Sequence, residues 1–429
     1  MEVKINVFRN LIAGLFGKFG QVGIRLIQVP LLISYLGVEK YGIWMLLSSI
    51  PSWLTISNLG FGTVAGNDVA IASGKNDFRR INEIYSSTML GIILIITILS
   101  SGCILIVYTL DWISILKTNS IDIMDIRYIL IALCLSVLIG FLPQVENIKY
   151  RIENINHRAI WIGNLRPWID FLFLWIAVQL DKGVIGIAIS GLIGVIIYTL
   201  AVFFDSRKIC SKVKLSTENI NVVYLIHIVK KGITFQAFPL GNALQSQGYI
   251  ILVNYLLGPV SVTLFTTIRT LVRSSNQALE LINQAIWPEL TFLIGARRKL
   301  DAIKLHDKAV KTSIYLSFLM VLILYLFGPQ IYKLWLGDSL NVNRDLLIWF
   351  LVSIPLTSWW YTSSVVLVST NNFEEFAIRS ILASLSGLIL AFIFGFIFGI
   401  EGIAVSIMTI DIFLIVFVKK TSKAILQNI

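Results

Sequence analysis

Arg269 and Arg273 stand one helical turn apart in TLFTTIRTLVRSSNQALELINQ, a stretch that otherwise reads as a membrane span. Lys18 and Arg25 lie seven residues apart in another apolar stretch, and that spacing returns a helix to the same face. A charge near the bilayer centre costs about 3 kcal/mol even on lenient insertion scales, so each should face a polar cavity or a partner. Arg166 can pair locally with Asp170, four residues on. Glu280 and Asp411 are the other embedded acids. Lys18, Arg25, Arg166, Arg269 and Arg273 thus outnumber Asp170, Glu280 and Asp411, which points to an anionic passenger. A structural reading stands beside it: the basic side chains snorkel outward, or one closes an ion pair with Glu280. Placed by depth along their spans, Lys18 and Arg273 fall nearer the middle, with Arg25 and Arg269 nearer the outer side.

Amides surround these charges. GITFQAFPLGNALQSQGYIILVN carries Gln236, Asn242 and Gln245 about Pro239 and Gly241, and Asn276 follows Arg273 by three residues. A proline deletes one helical hydrogen bond and kinks the axis, and so polar a helix fits poorly against lipid. Sugar hydroxyls or neighbouring helices would serve as partners. Trp53, Trp359 and Trp360 are placed to face a substrate or lipid. Gly14, Gly17, Gly20 and Gly23 mark a face for close helix packing.

Enzyme chemistry finds no support. There is no Walker sequence and no HExxH; His157, His227 and His306 lack metal-ligand spacing, and Cys103, Cys134 and Cys210 form no CxxC pair. No cofactor or metal is expected, so directed transport would draw on a proton or sodium gradient or on product removal. Asp68, Asp170, Glu280 and Asp411 are the candidate ion-coupling groups.

These residues sit in a chain of 429 residues with 56% hydrophobic and only 14% charged residues, against about 25% charged in soluble domains. Apolar blocks long enough to cross about 30 Å of hydrocarbon as helices recur throughout. They predict an all-α polytopic membrane protein with twelve spans: 8–35, 42–66, 82–110, 126–147, 158–179, 184–204, 229–257, 262–290, 307–327, 344–369, 375–397 and 402–419. The longest connection, 205–228, separates an N-terminal six-helix bundle (1–204) from a C-terminal one (229–429), and its tail from Val222 is apolar enough for an interfacial helix.

Orientation follows from Lys and Arg at loops and span ends. One side collects 23 of them; the other has six, Lys40, Lys117, Arg127, Lys182, Lys333 and Arg344. The richer side is cytoplasmic, which places both termini there. The same clustering turns the net charge of +11 away from nucleic acid. The halves echo one another: ISYLGVEKYGIWMLLSS matches VNYLLGPVSVTLFTTIR, and the Pro143 and Pro355 regions correspond. Six spans per half makes this a parallel pseudo-twofold repeat about the membrane normal.

YLGVEKYGIWMLLSSIPSWLTISNLGFGTVAGNDVAIASGKND, with NYLLGPVSVTLFTTIRTL as its second-half counterpart, resembles the polysaccharide-biosynthesis, O-antigen (Wzx-type) flippases of the MOP exporter superfamily. Members often have DLG where this chain has Asn58, Leu59 and Gly60. The resemblance implies two six-helix bundles around a cavity lined by basic residues, here assigned to Lys18, Arg25, Arg269 and Arg273. It implies an undecaprenyl-pyrophosphate-linked oligosaccharide flipped from the cytoplasmic to the periplasmic leaflet of the bacterial inner membrane by alternating access. Membrane lipids and polysaccharide polymerase or assembly proteins would be its partners. A cation-coupled multidrug or metabolite antiporter, a lipid II flippase and a non-transport membrane scaffold are the alternatives.

Overall fold

The computed structural model describes residues 2–58, 60–117, 120–153, 155–370 and 373–427, so Leu59 of the diagnostic motif lies outside the described residues. All secondary structure among them is helical, and helical segments lie over every predicted span. Seven helices among the described residues are long and apolar enough to cross a membrane, so the fold is all-α and multi-pass. Two of the seven, Ile12–Asn58 and Glu375–Gln427, each turn at a glycine of positive φ, Gly37 (φ 78°) and Gly399 (φ 65°). Asn156–Gln179 and Pro259–Gly295 have the length, but they carry the embedded charges Arg166 and Asp170 in one and Arg269, Arg273 and Glu280 in the other.

Four predicted spans are broken, among them 126–147 at Gly140–Phe141 and 344–369 at Ser364. The span expected at 42–66 gives way to a 3₁₀ stretch, Trp53–Asn58, before Gly60 (φ 60°) opens the helix Phe61–Gly74. Pro51 prepares the break by withholding an amide from the preceding turn. Asn58 donates to Gln144 Oε1 at 2.5 Å, a bond that an ionised carboxylate at this position would be unable to make. The span expected at 229–257 is Val222–Phe235, Ala237–Ala243, a π-helical turn Leu244–Gly248 and Tyr249–Leu257. Its first break falls where Pro239 has no N–H to offer the carbonyl of Phe235.

The chain divides into two compact units, Met1–Leu36 with Leu47–Pro239, and Gly37–Leu46 with Leu240–Ile429. The connection expected at 205–228 is pinned along helix Phe78–Thr109. Lys214 N donates to Asn82 Oδ1 (3.1 Å), Ser216 N to Ser86 Oγ (3.3 Å) and Asn221 N to Ser87 Oγ (2.8 Å). The amphipathic helix Val222–Phe235 then buries Tyr224 and Ile228 and exposes Val222, Val223 and Ile226. Gly37–Leu46 joins the second unit through Thr263 Oγ1, which donates to Val38 O at 2.7 Å, and through Gly42, where an added Cβ would lie 1.9 Å from Pro259 O.

Backbone punctuation recurs along the chain. Gly37 and Gly258, Asn76 and Arg297, Lys117 and Gly337, and Gly183 and Gly399 are positive-φ pairs spaced 216 to 221 residues apart. The last pair opens matching sequences, GVIGIAIS and GIEGIAVS. One difference stands out: the arm after Gly37 breaks at residues 53–60, whereas its counterpart Pro259–Gly295 runs through 37 residues.

The first unit packs Phe61, Ile81, Tyr85, Leu138, Val145 and Tyr224 into one core. Within it Glu146 and Lys149 form an ion pair at 2.8 Å with both side chains 2% exposed. Tyr85 OH and Ser206 Oγ, each at 2.5 Å, satisfy further acceptor positions of Glu146. Removing one member of a buried pair strands the other. Glu146→Ala is expected to lower the unfolding free energy by about 3–5 kcal/mol, read as an earlier denaturation midpoint, and Glu146→Leu with Lys149→Met to recover most of the loss. Gly42→Val should cost about 1–3 kcal/mol through overpacking, while Gly14→Ala, where nothing lies within 4 Å of an added Cβ, should leave the midpoint unmoved.

Candidate functional site

Helix Pro259–Gly295 carries a polar ladder that looks after itself. Thr266, Thr267, Thr270 and Ser274 each donate to a carbonyl one turn back, and Thr263 donates to Val38 O, so these hydroxyls enter the bundle without stranded protons. Thr267 also shares a hydrogen bond with Tyr332 OH at 2.8 Å. On this ladder Arg269 is buried, 8% exposed. Its Nη1 donates to Ser246 O at 3.0 Å, and its guanidinium lies 5.8 Å from the centre of the Phe265 ring. Ser246 belongs to the π-helical turn, a local widening of the kind that presents backbone groups outside the regular ladder. Arg273, one turn further along, is exposed.

Asp411 enters from the C-terminal helix, 5% exposed. It accepts hydrogen bonds from Trp360 Nε1 at 2.7 Å and Thr357 Oγ1 at 3.0 Å. Gln245, Arg269, Arg273, Asn276, Thr357, Trp360 and Asp411 all line one cavity of about 90 Å³ inside the second unit. That is room for a few water molecules or one small charged group, and too little for a sugar. Gln245 Nε2 donates to Ser384 Oγ at 3.1 Å, and Asn276 Oδ1 is buried without a hydrogen-bond partner among the described residues. Two guanidiniums can hold an anion, and one carboxylate can take a proton or a cation. Their shared low-dielectric setting makes the charge of each group felt by the others.

The structure therefore gathers Gln245, Arg269, Arg273 and Asn276 with Asp411, and disperses the other candidates. Arg269, expected as an outer-side anchor, is the buried arginine, because the π-turn carbonyl gives it a seat. Trp360, expected to face substrate or lipid, instead donates to Asp411. Glu280 is hydrogen-bonded to Tyr361 rather than lining the cavity. Gln236 is half-buried at the helix break and Asn242 is exposed. In the first unit, Asp170 lies 3.6 Å from Arg166, the local pair that the spacing predicts. Asp68 accepts from Tyr224 OH at 3.0 Å and lies 3.7 Å from Lys231, which ties the helix Val222–Phe235 down. Lys18 is half-buried and Arg25 exposed on the first helix. Gly17 and Gly20 of that helix abut Asn164 and Trp168, while Gly14 and Gly23 meet nothing within 4 Å. Thr357 was missed; a threonine in an apolar helix usually satisfies itself locally, and its spacing to Trp360 is the only signal of a shared acceptor. No cluster of His, Cys, Asp and Glu suited to a metal occurs among the described residues.

Solved structures share the fold. One is the inward-facing conformation of a multidrug resistance MATE family transporter of the MOP superfamily: TM-score 0.72, 15% identity, 94% of this chain and 98% of that one. Another is the lipid II flippase MurJ in an inward closed conformation: TM-score 0.75, 17% identity, 96% and 87%. A third is a MOP superfamily transporter from Pyrococcus furiosus, described as having a binding pocket of reverse polarity that suggests a different function: TM-score 0.66, 17% identity, 98% and 96%. The chain shares the fold of these transporters. At these identities the likeness concerns the fold alone. No family model and no curated protein matches the sequence.

Exchanging buried charged groups for apolar side chains of similar volume is often neutral or stabilising. Arg269→Met is therefore expected to hold or raise the denaturation midpoint. A fall in the midpoint would make Arg269 a structural residue.

Proposed function

We propose that the protein is a flippase for an anionic, lipid-linked substrate, working by alternating access in a frame of twelve spans and two repeated halves. The excess of basic over acidic charge in the 90 Å³ cavity, Arg269 and Arg273 against Asp411, is the observation that carries this reading. A phosphate group suits the arginines, and the carboxylate, held by Thr357 and Trp360, is the group that would answer a proton or sodium gradient. Lys18 and Arg25 would meet the anionic substrate on the first unit, and Gln245 and Asn276 would contribute polar contacts on the second. Gln236 and Asn242 would meet sugar hydroxyls beyond the small cavity. The motif resemblance favours an undecaprenyl-pyrophosphate-linked O-antigen repeat unit, carried to the periplasmic leaflet of a bacterial inner membrane with both termini in the cytoplasm.

The lipid II flippase among the structures of shared fold favours lipid II as a second passenger. The multidrug transporters favour a cation-coupled antiporter, but a cationic drug meets two guanidiniums in this cavity. Reconstituted vesicles presented in turn with a pyrophosphate-linked oligosaccharide, lipid II and a cationic dye separate the three. Flipping of a pyrophosphate-linked lipid, reduced at least about tenfold by Arg273→Ala at matched protein level, is the expected result. Dye export unaffected by Arg273→Ala would refute it. Asp411→Asn is expected to uncouple flipping from an imposed proton or sodium gradient while leaving gradient-free equilibration in place.

A further inference from the structure

A second cavity, about 630 Å³, lies wholly inside the first unit and takes no part in the reading above. Its walls are the cytoplasmic ends of helices Phe78–Thr109 and Gly183–Ile209, the segment after Phe141, and the extended chain 210–215. Met89, Ile93, Leu142, Leu200, Phe203 and Leu215 make most of it apolar. Of its charged residues, Glu146 and Lys149 neutralise each other at 2.8 Å, which leaves Arg207 and Lys214 as uncompensated cations in the lining. Arg207 is steadied by the Phe203 ring, 4.3 Å from its guanidinium. Lys214 is fixed through its backbone, whose N–H is held by Asn82 and whose carbonyl is held by Ser86. The cavity is therefore a built feature, with a long apolar chamber and a basic end.

Two observations select its occupant. Ile93 and Leu200, both in the lining, are 42% and 48% exposed on helices of the membrane-spanning kind, so the mouth faces hydrocarbon. The basic end falls on the Lys- and Arg-rich side, where Lys208 and Lys212 add to the positive potential. Basic pockets between spans on the cytoplasmic side are suited to anionic lipid headgroups. We propose that this cavity is a binding site for an anionic phospholipid of the cytoplasmic leaflet, with one acyl chain in the apolar chamber and the phosphate between Arg207 and Lys214. Such a lipid would brace the connection 210–216 against helix Phe78–Thr109. This assignment does not depend on which passenger the transporter carries.

Native mass spectrometry of the purified full-length protein, titrated separately with phosphatidylglycerol, phosphatidylcholine and undecaprenyl phosphate, tests it. One phosphatidylglycerol should be retained in preference to phosphatidylcholine, and Arg207→Gln with Lys214→Gln should weaken it about 30-fold, the combined effect of two basic residues on an anionic headgroup. Leu200→Trp, which narrows the mouth from its exposed side, should weaken it as well, with melting temperature recorded for both variants to establish that they fold. Equal retention of phosphatidylcholine, or phosphatidylglycerol binding unchanged in the double variant, would overturn the site. Retention of undecaprenyl phosphate alone would also overturn it, assigning the chamber to a substrate tail. Loss of this site with flipping intact would leave the proposed function untouched.

Discussion

Hydrocarbon offers no hydrogen bonds, so every polar group placed inside a span must find its partner within the protein. Most of the sequence's departures from plain hydrophobicity answer to that constraint. The threonine ladder of Pro259–Gly295 returns its protons to its own carbonyls. The π-helical turn supplies a carbonyl for Arg269, and Trp360 and Thr357 supply donors for Asp411. Glu146 collects an ammonium, a phenol and a hydroxyl. The cavity at Arg269 and Asp411 is thus a place where the requirement is met on most sides and left open on one, at Asn276 Oδ1.

The two halves meet the same constraint differently. Four pairs of positive-φ residues recur at spacings of 216 to 221, so the positions of those turns are shared. The contents of corresponding helices are not. The broken arm at residues 53–60 exchanges a hydrogen bond between Asn58 and Gln144, whereas the unbroken arm Pro259–Gly295 carries two arginines. At the segments following Pro143 and Pro355, the first unit buries a Glu–Lys pair, while the second buries the hydroxyls of Ser313, Ser358 and Thr362 in a chain of hydrogen bonds. Hydroxyls desolvate cheaply and a buried ion pair does not, so equivalent places in the two halves differ in how they respond to mutation.

The connection between the halves illustrates how a short polar run can override its appearance. Residues 205–228 read as a boundary because they are basic and irregular. Asn82, Ser86 and Ser87 on one face of Phe78–Thr109 capture its backbone amides, and the segment becomes a wall of the first unit rather than a tether.

The sequence by itself determined the class of fold, the approximate places of most helices, and the identity of the charges that had to be housed. Those follow from local rules: hydropathy over a span's length, glycine and proline at turns, and the cost of a charge in lipid. The local Arg166–Asp170 pair was legible for the same reason, since four residues place two side chains on one helix face. The helix break near Pro239 was legible too, though not the π-helical turn beyond it. Tertiary structure alone decided which charges meet. Asp411 is 142 residues from Arg269 in sequence, and no spacing rule joins them. Depth along an isolated helix ranked Arg273 above Arg269, because depth measures distance from water along the axis. Burial depends on what neighbouring helices supply, and the Ser246 carbonyl, 23 residues away, reversed the order.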